Sequence, residues 1–123
     1  MANILHKRLS NRVIDAAFKV HSTLGPGLAE VLYKRALMLE LHSQGIAAEK
    51  EKPFSVFYAQ KQIGKYFADI VVENTLILEI KVTTNFNSAM QSQLFNYLRI
   101  SGLNIGYLCN FYPHIFQFKR FVL

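Results

Sequence analysis

Residues 76–82 read Leu-Ile-Leu-Glu-Ile-Lys-Val, an apolar run of strand length that contains two charges. Successive side chains of a strand point to opposite faces, so Glu79 and Lys81 project from one face of it. The apolar residues fill the opposite face, which we expect to lie against the core. The two charges require an explanation, because burying an unpaired charge is costly.

A second carboxylate, Asp69, lies in the preceding apolar run, residues 65–72. Two carboxylates held side by side on paired strands suit a hard divalent cation such as Mg²⁺, which prefers oxygen ligands. Such a cation polarises a phosphodiester and lowers the pKa of a bound water, and a nearby lysine steers that water or offsets charge. Asp69, Glu79 and Lys81 therefore indicate metal-dependent phosphodiester chemistry, and the structural alternative is a surface ion pair between Glu79 and Lys81.

The turn between these two strands decides whether the carboxylates can meet. A two-residue loop at Glu73-Asn74 would pair Asp69 with Leu78 and place it on the wrong face. A three-residue turn, residues 73–75, would pair Asp69 with Glu79, and a β-bulge would have the same effect. The metal hypothesis requires one of these two devices.

Helical patterns occupy the first third of the chain. Apolar residues recur at helical spacing after Ser10, a plausible N-cap, until Gly25-Pro26. A second helix is predicted over residues 28–44, with Gly45 just past its end. Its predicted buried line consists of Leu32, Ala36 and Leu39.

Strand patterns follow, interrupted by one more helix. The predicted strands are 53–58, 65–72, 75–82, 105–110 and 115–122, and the predicted third helix is 88–101. That helix is long enough for a crossover, so the strand after it can lie parallel to the strand before it. We expect a mixed α/β (α+β) fold of order α-α-β-β-β-α-β-β, with helices packed on a mixed sheet.

Composition sets the broad class. The chain has 123 residues, which fits a single domain over residues 1–123. Its formal charge of +6 and pI near 9.6 favour a polyanionic partner such as nucleic acid. Cys109 is the only cysteine and the four histidines are widely separated, so neither a disulfide nor a zinc cluster is expected.

No apolar run approaches the length that spans a bilayer, and Met1 to Ser10 contain no signal-peptide core. We therefore expect a cytoplasmic protein without membrane contact.

Two further motifs accompany these residues. Residues 27–33 read Gly-Leu-Ala-Glu-Val-Leu-Tyr, a G-x-x-E-x-x-Y pattern, and Gln93 and Tyr97 form a Q-x-x-x-Y pattern. With Asp69 to Lys81, they resemble the GxxExxY family, a group of small proteins placed in the PD-(D/E)XK nuclease superfamily. The resemblance extends from the first helix to Phe111, in the expected order.

The resemblance implies a restriction-endonuclease-like core and an Mg²⁺- or Mn²⁺-dependent nuclease, with DNA as the expected substrate. It implies that Asp69 and Glu79 bind the metal, that Lys81 is the catalytic lysine, and that Glu30 completes the catalytic acidic cluster as a third metal ligand. Clustered carboxylates repel, so at least one of the three should have a raised pKa unless Lys81 compensates fully.

The resemblance further implies that Gln93 and Tyr97 lie beside the active site and contact the nucleic acid. Alternatives remain open for these positions. Gln93 and Tyr97 could support each other one helical turn apart, and Glu30 could be a solvated carboxylate favoured by the helix dipole. Tyr33 is expected in the core.

Two other function classes compete with the enzyme. One is a nucleic-acid-binding module that keeps the acidic cluster without turnover, and the other is a structural subunit. The aromatic and basic tail, residues 111–121, fits base stacking, packing of an edge strand, or a homodimer formed through that edge.

Overall fold

The computed structural model describes residues 6–123, which form three helices and five strands. The helices are α1 Lys7–Leu24, α2 Glu30–Ser43 and α3 Ser88–Ser101. The strands are β1 Ala48–Tyr58, β2 Lys61–Val72, β3 Leu76–Lys81, β4 Ile105–Asn110 and β5 Gln117–Val122. The predicted element order is confirmed. Of the stretch from Met1 to Ser10, in which no signal-peptide core is expected, the first five residues lie outside the described residues.

The strands form one sheet in the order β1-β2-β3-β4-β5. Strands β3 and β4 are parallel, from Leu76 beside Ile105 to Lys81 beside Asn110, and the other neighbours are antiparallel. The parallel pair requires a crossover, which α3 supplies. The predicted mixed sheet is therefore confirmed. Within residues 6–123, no helix is both long and apolar enough to span a membrane.

Both faces of the central strands are buried. The α1–α2 core lies on one face and includes Ile70, Leu78 and Ile80. The α3 core lies on the other face and includes Ala68 and Ile77. The prediction of a single core side was therefore incomplete, because the face that carries Glu79 is also covered. Covering both faces removes apolar surface from water on each side of the central strands.

Helix α3 lies very close to the sheet at Gly106 of β4. A Cβ atom built on Gly106 would lie only 2.9 Å from the side chain of Leu94. A larger residue at position 106 would require the Leu94 side chain to shift, so the glycine provides the space in which Leu94 of α3 packs on β4.

The two N-terminal helices differ from the predictions in detail. Helix α1 begins at Lys7, so Ser10 is a buried residue inside the helix and the predicted N-cap was wrong. Helix α2 is rotated relative to the predicted buried line, since Leu32 and Leu39 are exposed and Ala36 is only partly buried. Its fully buried residues are Tyr33, Leu37 and Leu41. Burial of the large Tyr33 ring outweighs that of Leu39 and sets the rotation.

The first two strands are longer than predicted. They meet at a two-residue turn, Ala59-Gln60, instead of the predicted joint over residues 59–64. Both turn residues have positive φ, 50° and 67°, as tight hairpin turns require. Pro53 lies in β1, an edge strand, where a missing N–H is tolerated.

Candidate active site

A three-residue turn joins β2 to β3. Ile70 pairs with Leu78 and Val72 with Leu76, so residues 73–75 form the turn, and one further pair in this register would set Asp69 opposite Glu79. Of the two devices that the metal hypothesis requires, the three-residue turn is therefore present. Glu73 and Asn74 both have positive φ, and the Thr75 N–H donates to the Val72 carbonyl over 2.8 Å.

The β1–β2 ribbon changes face at Asp69. Residues two apart on a regular strand share a face, yet Ala68 belongs to the α3 core and Ile70 to the α1–α2 core. In the pairing of β1 with β2, Lys50 lies opposite Ile70 and Lys52 opposite Ala68, so Glu51 falls opposite Asp69. Glu51 has a positive φ of 53°. The irregularity turns Asp69 towards the end of β3, and such irregularities are common beside active sites.

Where β2 and β3 separate, the side chains of Asp69 and Glu79 accept hydrogen bonds from backbone N–H groups, in place of backbone carbonyls. The Ile80 N–H donates to Asp69 Oδ2 over 2.8 Å, and the Asp69 N–H donates to Glu79 Oε2 over 3.3 Å. The regular pairing of these strands ends at Ile70 and Leu78. Buried backbone donors need partners, so these hydrogen bonds hold both carboxylates in place.

Glu79 is the central acid of the site. It is only 7% exposed, and the Tyr66 hydroxyl donates to its Oε2 over 2.7 Å. Burial and then the Asp69 charge raise the pKa of Glu79 to about 7, although the hydrogen bonds and Lys81 oppose the shift. The predicted rise in a carboxyl pKa is confirmed. Within residues 6–123, Glu79 Oε1 accepts no hydrogen bond, so this oxygen remains available to a ligand.

Glu30 is the first residue of α2, and Tyr33 fixes the loop that precedes it. The Tyr33 hydroxyl donates to the Gly25 carbonyl over 2.6 Å and accepts from the Leu28 N–H over 3.1 Å. Its ring is fully buried, which confirms the core prediction, and it stacks on Phe111 at 4.7 Å. The G-x-x-E-x-x-Y pattern therefore holds the end of α2 in place. Partial desolvation and then the Asp69 charge raise the pKa of Glu30.

Lys34, which the sequence analysis missed, pairs with Asp69. Its Nζ lies 3.4 Å from Asp69 Oδ1 and 3.1 Å from Glu51 Oε1. Burial lowers the pKa of Lys34, but its interactions with Glu51 and Asp69 outweigh that effect and raise the pKa. The spacing of four residues from Glu30 was the available signal, since it places both side chains on one face of α2.

Lys81 lies at the end of β3 and is half-buried. Among the described residues the lysines in ion pairs are Lys19, Lys34 and Lys52, so no ion pair joins Lys81 to Glu79. The alternative of a Glu79–Lys81 ion pair is therefore wrong.

Asn110, another residue that the sequence analysis missed, fixes the loop after Lys81. It is fully buried in β4, and its side chain donates to the Thr83 carbonyl over 2.8 Å. The same side chain accepts from the N–H groups of Thr83 and Tyr112. Its contact with Thr83 left no signal in the sequence, because the two residues are 27 positions apart.

The two residues of the Q-x-x-x-Y pattern occupy different surroundings. Tyr97 stacks on Tyr66, with ring centroids 3.5 Å apart and an interplanar angle of 12°. Gln93 is exposed one turn earlier on α3. In the described part of the chain, no hydrogen bond joins Gln93 to Tyr97. Tyr97 therefore contacts the partner of Glu79, whereas Gln93 faces solvent.

The donor set suits a magnesium-like ion in part. Among residues 6–123, no three side chains of the His, Cys, Asp or Glu type are grouped to hold a metal ion. Mg²⁺, however, usually keeps several waters and binds through one or two carboxylates together with substrate phosphates. Asp69 and Glu79 supply such a pair, and their mutual repulsion is what a cation would relieve. Glu30 interacts with Asp69 through charge.

Comparisons with known proteins concern the family and the fold of the chain. A family model described as the PD-(D/E)XK nuclease superfamily matches residues 7–121. The crystal structure of SSO0001 is similar over 94% of this chain and 61% of that chain, with a TM-score of 0.57 and 19% identity. This chain thus spans about three fifths of that protein's length, and at this identity the similarity concerns the fold alone. No curated protein matches the chain significantly.

Proposed function

This chain belongs to the PD-(D/E)XK nuclease superfamily, and we propose that it is a metal-dependent nuclease of the GxxExxY type, with DNA as the expected substrate. The observation that carries the proposal is the pair formed by Asp69 and Glu79. Both are fixed by backbone hydrogen bonds, and burial and repulsion raise the pKa of Glu79 to about 7. Carboxyl groups with strongly perturbed pKa values are concentrated at functional sites, and a bound cation would relieve the repulsion between these two.

In this proposal the carboxylates of Asp69 and Glu79 would hold Mg²⁺ or Mn²⁺. When bound, the cation supplies Lewis acidity to the phosphodiester and lowers the pKa of the attacking water. Lys81 orients that water or offsets developing negative charge, since no ion pair to a described residue engages its ammonium group. Glu30 completes the acidic cluster, directly or through a water.

Substrate contacts are assigned by charge and exposure. The net charge of +6 favours a polyanion, and the exposed Gln93 amide on α3 is free to reach a phosphate or base. We treat residues 1–123 as one nuclease-like domain, because both cores lie on a single sheet. A cytoplasmic location fits the free, buried Cys109.

A binding module without turnover is the second candidate. The observation that favours it is the ion pair between Lys34 and Asp69, because Lys34 Nζ lies 3.4 Å from an oxygen that a cation would use. In an idle site, such a lysine would replace the cation permanently. In an enzyme, the cation would compete with Lys34 for Asp69, and the substrate phosphate would compete with Asp69 for Lys34.

An assay on labelled single- and double-stranded DNA and RNA distinguishes these candidates. Each form is offered with Mg²⁺, with Mn²⁺ and with a chelator, and Asp69→Asn serves as the control. We expect cleavage that requires a divalent cation and disappears in the variant. Binding without cleavage of any form would instead support the binding module, and neither binding nor cleavage would support the structural subunit.

A further inference from the structure

Three aromatic rings form a stack between α3 and the β1–β2 ribbon. The ring centroid of Tyr66 in β2 lies 3.5 Å from that of Tyr97 in α3, with an interplanar angle of 12°. It lies 6.1 Å from the ring centroid of Phe54 in β1, with an interplanar angle of 18°. Tyr66 is only 7% exposed. Stacked rings of this kind restrict each other, so the direction of the Tyr66 hydroxyl depends on both neighbours.

The Tyr66 hydroxyl has one described partner, Glu79 Oε2, at 2.7 Å. A hydrogen bond from a neutral donor to a carboxylate is stronger than one between neutral groups. Since the Asp69 N–H donates to the same oxygen, Oε1 is left as the free atom of the carboxylate. The hydroxyl thereby fixes which oxygen of Glu79 faces outward.

Tyr97 makes its contact through the ring. Among the described residues its hydroxyl has no hydrogen-bond partner, whereas its ring lies against Tyr66. On the same helix, Leu94 lies three residues before Tyr97 and packs over Gly106 of β4. Helix α3 thus carries the Tyr97 ring, which contacts the Tyr66 ring, and the Tyr66 hydroxyl in turn contacts Glu79.

We propose that Tyr97 is a positioning residue for Glu79, acting through Tyr66, and that its ring rather than its hydroxyl performs this role. The proposal rests on the proposed function, because it assumes that Glu79 binds the catalytic cation. It replaces the nucleic-acid contact that the family resemblance assigns to Tyr97. Removal of the ring would leave space beside Tyr66, and the hydroxyl would turn away from Oε2.

A double-mutant cycle on kcat and KM tests the indirect action. Loss of a hydrogen bond to a charged group predicts that Tyr66→Phe lowers kcat by roughly 10- to 100-fold with little change in KM. Tyr97→Leu should lower kcat similarly, and Tyr97→Phe should recover most of that loss. In the Tyr66→Phe background, Tyr97→Leu should cost less than about threefold, because the two residues act in series.

Phe95→Leu is the matched control. Phe95 lies on the same helix and packs edge-on against Phe121 at 5.1 Å, in the same core but without a ring contact to Tyr66. Its replacement should lower thermal stability as Tyr97→Leu does and leave kcat unchanged. The proposal is overturned if Tyr97→Phe is as slow as Tyr97→Leu, if both raise KM, or if the two losses multiply in the double variant.

Crystal structures provide a readout that does not require turnover. In the wild type and in Tyr97→Phe, Glu79 Oε2 should remain within hydrogen-bonding distance of the residue 66 hydroxyl, and in Tyr97→Leu this bond should be broken. An unchanged Glu79 in Tyr97→Leu would overturn the proposal. This comparison is independent of cleavage. An inactive wild type would therefore contradict the proposed function, while the crystal structures would still show whether Tyr97 positions Glu79.

Discussion

The backbone N–H of Asp69 donates to the side chain of Glu79 over 3.3 Å, at the point where β2 and β3 separate. Asp69 in turn accepts from the N–H of Ile80 over 2.8 Å. Two acids that repel each other are thus held side by side by the hydrogen-bonding needs of the backbone. This arrangement leads to the following predictions.

The first prediction concerns how the stability of the wild type changes with pH, relative to that of Glu79→Gln. Unfolded Glu79 ionises near 4.5 and folded Glu79 near 7, so the folded state binds more protons between these pH values. The free energy of unfolding of the wild type should therefore fall as pH rises from about 4.5 through 7. Relative to Glu79→Gln, the loss is on the order of 3 kcal/mol. Denaturant unfolding at pH 4.5 and pH 8 measures it, and a constant difference between the proteins would contradict the assignment.

The second prediction separates catalysis from binding. Asp69→Asn keeps an oxygen that can accept from Ile80 N–H but removes the charge that a cation needs. Cleavage should fall by about 100-fold or more, while nucleic-acid affinity in chelator changes little. Single-turnover cleavage and fluorescence anisotropy supply the two numbers. Wild-type rates in the variant would remove Asp69 from the site.

The third prediction concerns Lys81. Lys81→Ala removes an ammonium group that no described ion pair occupies, so folding should survive. Cleavage should fall by about 100-fold or more, because the group acts on the water or the developing charge. Cation affinity, measured by calorimetry with Mn²⁺, should not decrease, since Lys81 repels a cation. A weaker cation affinity would indicate a different role for Lys81.

The fourth prediction concerns Lys34, which competes with a cation for Asp69. Lys34→Gln removes the ammonium that lies 3.4 Å from Asp69 Oδ1. Mn²⁺ affinity should rise by roughly threefold or more, because a positive charge near the site is lost. Lys52→Gln is the matched control, since Lys52 pairs with Glu49 at a similar distance of 3.1 Å. Weaker Mn²⁺ binding in Lys34→Gln would mean that Lys34 positions Asp69 instead.

The fifth prediction concerns pH and cation binding together. A bound cation favours the ionised form of Glu79, whose pKa without cation is about 7. Mn²⁺ affinity should therefore fall as pH is lowered from 8 to 6, with a proton released on binding. Calorimetry in buffers of different ionisation enthalpy measures the release. Glu79→Gln should abolish this proton release, and an unchanged release would assign the proton to another group.

Elements with strong local signals were predictable from the sequence. Helix α3 has the predicted bounds, because the Asn87 side chain caps its first turn through the Met90 N–H and Gly102 ends it with a φ of 76°. For Asp69 and Glu79 to share a site, the sequence required a three-residue turn after Val72 or a β-bulge, and the register shows the turn.

Features that depend on distant contacts were not predictable. The rotation of α2 follows from the buried Tyr33 ring, which packs on Phe111 far along the chain. The spacing from Glu30 places Lys34 on the same face of α2, but it does not pair Lys34 with Asp69, which is 35 residues away. The burial of Glu79 likewise requires Tyr66 and α3 in place.

The location of bound Mn²⁺ tests the central claim most directly, because the whole site is built on one cation held by Asp69 and Glu79. Crystals soaked in Mn²⁺ and measured near its absorption edge give the position of the ion from its anomalous signal. The proposal predicts one peak at coordination distance, roughly 2 Å, from a carboxylate oxygen of each residue. A peak at other side chains, or no peak at a saturating concentration of Mn²⁺, would contradict it.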